Sequence, residues 1–357
     1  MRSFAPGFLE DQPISPRLEG ILRELGEHKG KEEHYLHLRP LDVRRVLWQG
    51  AKLDSVRSSN RIEGLVASDR ELRELIDGRG RAYGHSARDL AGYHSARMTI
   101  VLGDLGPGFS VRDVLHLYRL LDSSRWSPAG REDDFRWRDD VALETPFGGS
   151  RVAWLELVPA AETRRTLEEL HVRFEARRRE GAIEPLLLVA AYVLDFVMIH
   201  PFRTANGRLA RLLTELLLER QGYEVGQTVS LERVIEEQLQ GYRDAFSESA
   251  PGWHHSLHDL GPWWEFLLGS VLLSAYRELE AWANETPVVS GYKGEVVEAT
   301  IERLLPARFR VRDVHEAYPR DLGPVSRTTV NRALRRLHLA GHLELVRSGR
   351  GAIWAKR

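Results

Sequence analysis

The sequence predicts a mainly α fold with one small β-hairpin near the middle and a helix-turn-helix with a two-stranded wing at the C-terminus. Three observations carry this. The chain is rich in Leu, Arg, Glu and Ala, which enter helices at little cost. Residues 126–160 break that pattern, with Gly130, Pro146, Gly148 and Gly149 set between short apolar runs. Beyond a linker at 286–291, the chain resumes as a tail with its own pattern.

Taken in order, residues 1–20 hold Pro6, Pro13 and Pro16 and are expected to wrap irregularly over the surface. Helical periodicity dominates from Pro16 to about Ile76, with a break expected at Lys29-Gly30. Residues 86–100 read as a further helix. Gly106-Pro107-Gly108 reads as a turn, and Ser110 as the N-cap of a helix through Leu121. Helices resume near Ala161 and run to about Trp282, with Pro287 ending the last of them. The segments are therefore an N-terminal helical region, 1–105, a central core, 106–285, the linker, 286–291, and the tail, 292–357.

The 357 residues carry a formal charge of −1, so global polyelectrolyte behaviour is excluded. There is no cysteine, which excludes disulfides and thiolate zinc sites and makes a cytoplasmic location the expectation. No apolar run reaches the roughly 18 residues a membrane helix needs. The first residues have early acids and no long apolar stretch, unlike a signal peptide.

The chemistry concentrates in one run, His200-Pro201-Phe202-Arg203-Thr204-Ala205-Asn206-Gly207-Arg208-Leu209-Ala210-Arg211. It lies between two apolar stretches, Leu186 to Ile199 and Leu212 to Leu218. Pro201 forbids one continuous helix, so the run reads as helix, tight loop, helix. A small-residue loop opening a helix directs backbone N–H groups and the positive end of the helix dipole outward. Arg208 and Arg211, three apart, add two guanidinium groups suited to phosphate oxygens. His200 beside them has a pKa range suited to a general base.

This run resembles the HPFx[D/E]GNGRxxR signature of Fic proteins, most of which transfer AMP from ATP to a hydroxyl of a target protein. His200, Pro201, Phe202, Asn206, Gly207, Arg208 and Arg211 fit at the same spacing. The resemblance implies His200 as the base, Ala205, Asn206, Gly207, Arg208 and Arg211 as nucleotide-binding, and Phe202 as an interior anchor of the loop. It also implies ATP as substrate and Mg2+ as cofactor. Ala205 replaces a glycine of the signature, and Thr204 replaces the acidic residue that holds the metal. Threonine is a poor magnesium ligand. Three outcomes stay open: metal held by phosphates and water alone, chemistry with no metal or another donor, or nucleotide binding without turnover.

Upstream, Ser59-x-x-x-Glu63-Gly64 resembles the [S/T]xxxE[G/N] inhibitory motif of the same family. Positions i and i+4 share a helix face, so Ser59 and Glu63 point the same way, and Gly64 suits a C-cap. The resemblance implies that Glu63 pairs with Arg211 in the place of the γ-phosphate, making the chain self-inhibited. Family members also dock targets on a hairpin ahead of the signature, and residues 148–159 are the candidate, with a plain structural hairpin as the other reading. The resemblance covers roughly residues 40–285. His254, His255 and His258 form HHxxH, read as polar loop and not as a metal site.

The tail resembles a winged helix: helices over about Gly294–Leu305, Val311–Tyr318 and Arg327–Ala340, then strands Leu343–Val346 and Ala352–Trp354. Ser326 reads as an N-cap and Gly341 as the stop of the third helix. Between Ser326 and Arg357 the charged residues are basic except for Glu344. That is the footprint of phosphate-backbone contact, and the candidate DNA-binding residues are Arg327, Thr328, Thr329, Asn331, Arg332, Arg335 and Arg350. Docking of a protein is the other use of such a module. Two functions follow: AMP transfer to a hydroxyl on a partner or on the chain itself, or a nucleotide-responsive DNA-binding regulator. A homodimer is expected, because operator sites are two-fold.

Overall fold

The computed structural model describes residues 2–37, 41–76, 85–106, 108–121, 134–139, 157–285, 292–319, 322–349 and 351–357. The helices are α1 (Pro16–His37), α2 (Leu41–Ile62), α3 (Asp69–Ile76), α4 (His85–Val101), α5 (Val111–Leu121), α6 (Thr163–Glu180), α7 (Pro185–Ile199), α8 (Asn206–Arg220), α9 (Leu231–Glu237) and α10 (Leu239–Ser249). Then α11 (Gly261–Trp264) passes through a π-helical stretch, Glu265–Leu273, into α12 (Ser274–Glu285). The tail holds α13 (Tyr292–Leu304), β1 (Arg308–Arg310), α14 (Val311–Ala317), α15 (Arg327–Leu339), β2 (Leu343–Arg347) and β3 (Ile353–Lys356). The mainly helical fold expected from composition is the fold observed. No helix among the described residues is long and apolar enough to cross a membrane.

Contacts divide the chain into two compact units. One comprises Met1–Lys29, Asp54–Gly226 and Ser230–Tyr276; the other comprises Gly30–Leu53, Gln227–Val229 and Arg277–Arg357. The first unit is organised around α7, whose residues from Leu186 to Ile199 are all buried. A helix apolar on every side must be covered on every side. α6 and α8 pack along it, with α11 closing another flank. The indoles of Trp263 and Trp264 donate to the carbonyls of Ala190 and Leu187, at 2.8 and 3.1 Å, tying α11 to α7. α4 crosses α5 so closely at Gly92 that a Cβ there would lie 2.3 Å from the Leu120 carbonyl oxygen. Ser110 and Asp113 form the reciprocal cap that opens α5, Ser110 N–H donating to Asp113 Oδ2 at 2.7 Å.

Three local expectations are corrected. α1 runs through Lys29-Gly30 without a break, because burial of Leu18, Ile21, Leu25 and His28 outweighs one glycine's helix penalty of about 1 kcal/mol. The first residues are not merely a surface wrap: Ser3, Phe4, Phe8 and Leu9 are buried. Ser3 donates to Asp195 through both N–H and hydroxyl. HHxxH is not simply polar loop, since His258 is buried, stacked on Phe8 at 4.4 Å, with Nε2 2.9 Å from Ser3 Oγ.

In the tail, α13 packs against α15, and Val330, Ala333, Leu334 and Leu337 form the buried face of α15. Ser326 Oγ caps α15 by accepting from Thr329 N–H at 3.1 Å. The sheet order is β1-β3-β2, with β3 antiparallel to both neighbours and Trp354 opposite Phe309 and Leu345. The strand β1 carries only three residues, too few for a period-two signal.

Candidate active site

The loop between α7 and α8 is built from two left-handed residues that are not glycine. His200 ends α7 at φ 48° and ψ 59°, and Ala205 opens α8 at φ 60° and ψ 13°. Each such residue costs about 1–2 kcal/mol and needs its surroundings to hold it. The fixings are visible. Asn206 Oδ1 accepts from Phe202 N–H at 3.0 Å, and Asn206 Nδ2 donates to the Phe202 carbonyl at 2.8 Å. The side chain expected to orient an anion thus closes the loop on itself. Phe202, fully buried, stacks on Tyr118 at 4.0 Å and pairs its backbone with Phe135.

Arg208 and Arg211 rise from the first turns of α8 and are 4% and 3% exposed. Arg211 meets α2: its Nε donates to Ser59 Oγ at 2.8 Å, and one amino group donates to the Ser59 carbonyl at 2.9 Å and to Glu63 Oε1 at 2.7 Å. Glu63 directly follows the last turn of α2, and Gly64 after it takes φ 78°, with Leu65 N–H returning to the Asn60 carbonyl. Burial opposes the charge of Arg211, but Glu63, Tyr242 and Tyr93 outweigh it and its pKa is raised. Arg208 faces Asn60 Oδ1 and Asp89 Oδ1, both at 3.3 Å, and its Nε is buried with no partner.

Behind the arginines a polar group anchors α2. Tyr93 donates to Glu232 Oε1 and Ser55 to Glu232 Oε2, each at 2.7 Å. Arg97 forks onto Glu215 at 2.7 and 3.0 Å and onto the Gly226 carbonyl at 2.8 Å. His200 itself is 2% exposed, and its Nδ1 is buried without a partner. Burial, helped by the positive charge of Arg136, drives its pKa down to about 3, so the imidazole is neutral at physiological pH.

The structure therefore gathers His200, Ala205, Asn206, Gly207, Arg208 and Arg211 on one loop and one helix start, and brings Ser59 and Glu63 to them. Asn60, Asp89 and Arg136 join the site without having been singled out in the sequence. Only Asn60 had a local signal, lying inside the upstream motif. Thr204 is half-buried, and among the described residues no group of three His, Asp or Glu could hold a metal. A neutral hydroxyl at the expected ligand position offers magnesium no carboxylate there. The hairpin candidate at 148–159 lies outside the described residues except for its last three. In the tail, Arg327, Thr328, Asn331, Arg332 and Arg335 are exposed along α15, and Thr329 is half-buried against its cap. Arg350 lies outside the described residues.

Residues 109–218 match the model of the Fic/DOC family, so a domain of that family occupies this part of the chain. Among solved structures, a Fic family protein from Desulfovibrio desulfuricans G20 matches at TM-score 0.58 and 19% identity, covering 97% of both chains. A Fic domain containing signaling protein from Bacteroides thetaiotaomicron matches at TM-score 0.56 and 18% identity, covering 73% of this chain and 98% of the other. Fic-1 from C. elegans matches at TM-score 0.53 and 19% identity, covering 75% of this chain and 73% of the other. These likenesses are of fold. No curated protein matches.

Proposed function

We propose that this protein is a nucleotidyltransferase that moves AMP from ATP to a hydroxyl of a protein, a partner or itself, and that Glu63 keeps it self-inhibited. One observation carries the reading: the buried ion pair of 2.7 Å between Arg211 and Glu63. It joins two motifs more than a hundred residues apart in sequence, in the pairing that their resemblance to Fic proteins implies.

The target hydroxyl oxygen attacks the α-phosphorus of ATP, and its proton passes to His200. The new P–O bond joins AMP to the target, and the bond from the α-phosphorus to the bridging oxygen breaks, releasing pyrophosphate. Arg208 and Arg211 take phosphate oxygens, for which planar, permanently charged guanidinium is suited. The buried, neutral imidazole is in the form that accepts a proton, and nearby phosphate charge raises its basicity. No step is assigned to magnesium, because Thr204 offers no carboxylate. While Glu63 and Ser59 hold Arg211, its guanidinium is engaged inside the chain.

The test is intact mass of wild type, Glu63→Gly and Glu63→Gly/His200→Ala after incubation with ATP and magnesium. An AMP-sized gain confined to Glu63→Gly is expected. No gain in any of the three overturns the transferase reading.

A second reading, a nucleotide-responsive DNA-binding regulator, is supported by the exposed basic face of α15 opposite its buried apolar face. In it the tail acts as a winged helix, as a homodimer on a two-fold site. Salt-sensitive binding to the protein's own promoter DNA, without ATP turnover by Glu63→Gly, favours this reading over the first.

A further inference from the structure

His200 is held from outside its own loop by Arg136. The segment 134–139 runs beside the loop, with Phe135 bridged to Phe202 and Arg136 N–H donating to the Pro201 carbonyl at 2.9 Å. From there the Arg136 side chain turns inward and is 3% exposed. Its Nε donates to the carbonyl of His200 at 2.9 Å. One amino group donates to the carbonyl of Val158 and the other to Asp139 Oδ1, at 3.1 Å. Asp139 Oδ1 also accepts from Ala160 N–H at 2.6 Å, which fixes the carboxylate.

We propose that Arg136 is the positioning residue for His200: its guanidinium fork holds the His200 carbonyl, and with it the left-handed turn that sets where the imidazole points. A histidine at φ 48° is in a conformation that L residues leave when nothing holds them. Its N–H is fixed by the Phe196 carbonyl at 3.1 Å, so the freedom left is in the peptide that follows. Arg136 bonds that peptide at the His200 carbonyl and bonds the next one at Pro201 through its own backbone. Three acceptors from three stretches of chain fit a planar fork with several donors; a lysine ammonium on a flexible stem does not reproduce that arrangement. The guanidinium also places a buried positive charge beside the imidazole. Arg136 touches no reacting atom in this assignment; it acts through His200.

The inference rests on the reading of His200 as the base, so its test has one arm that does not depend on turnover. In the Glu63→Gly background, Arg136→Gln and Arg136→Lys are compared by steady-state AMP transfer and by NMR titration of the His200 ring in isotope-labelled protein. Loss of the fork in either variant is expected to lower kcat by about tenfold or more while KM for ATP stays within about twofold. Loss of the charge, in Arg136→Gln alone, is expected to raise the titration point of His200. Should Arg136→Gln not fold, Arg136→Lys still reports on kcat and KM. Unchanged kcat in folded variants, a loss confined to KM, or an unmoved His200 titration in Arg136→Gln overturns the assignment. No transfer even with Arg136 intact defeats the transferase reading instead, and the titration then decides this one.

Discussion

Two helices of this chain carry clustered arginines, and they use them in opposite ways. At the start of α8, Arg208 and Arg211 are almost fully buried and are met by Asn60, Asp89, Ser59 and Glu63. Along α15, Arg327, Arg332 and Arg335 are exposed. A buried guanidinium is expensive unless a carboxylate and hydrogen-bond acceptors compensate it. An exposed one is solvated and available to any phosphate that approaches. The same residue type is therefore buried and paired in one helix and solvent-exposed in the other. What separates them is the surrounding packing, not the spacing of the arginines.

The largest effect expected from this contrast is on stability. Glu63→Ala leaves Arg211 buried without its carboxylate, and chemical denaturation should show a loss of roughly 3 kcal/mol. Arg335→Ala, on the exposed helix, should change stability by less than about 0.5 kcal/mol. Equal losses in the two variants would erase the distinction.

A second effect follows from burial of the base. The His200 pKa falls to about 3 in the folded protein from an ordinary 6.5, so between those values the unfolded chain binds the extra proton. Stability from this group is complete above pH 6.5 and is lost progressively as pH falls toward 3. Between pH 7 and pH 4.5 wild type should lose roughly 2–3 kcal/mol more than His200→Gln, measured by thermal unfolding at both pH values. Identical pH dependence would mean that the imidazole is solvated.

On the exposed helix the expected change is one of salt dependence. If α15 meets DNA backbone, Arg332→Ala and Arg335→Ala should each lower the slope of log affinity against log salt by about one, seen in fluorescence titrations at several salt concentrations. The smallest effect is at Ala205. Glycine there relieves the left-handed strain but adds freedom to the unfolded chain, for a net gain of about 0.5 kcal/mol in the same denaturation assay.

Much of this contrast could be read from the sequence where it was local. The spacing of His200, Asn206, Gly207, Arg208 and Arg211 set out the loop and helix start, and the i, i+4 relation placed Ser59 and Glu63 on one face. Helix starts were legible from Ser110 and Ser326, whose caps act within three residues. What escaped depends on distant chain. Nothing near Asp89 or Arg136 announces that they face Arg208 and the His200 carbonyl, because those contacts join separate elements. Burial of Phe4 and Phe8 in a proline-containing start, and the uninterrupted α1 at Gly30, were decided by tertiary packing against local preference. Asn206 was legible as important, but its role in bracing the loop required the bonds to Phe202.

The central claim is that Glu63 holds the position on Arg211 that the terminal phosphate of ATP takes. Calorimetric titration of wild type and Glu63→Ala with ATP and with AMP tests it most directly. The account predicts that the substitution tightens ATP binding by about tenfold or more and leaves AMP, which lacks the outer phosphates, unchanged within about twofold. Equal tightening of both nucleotides, or of neither, would contradict it.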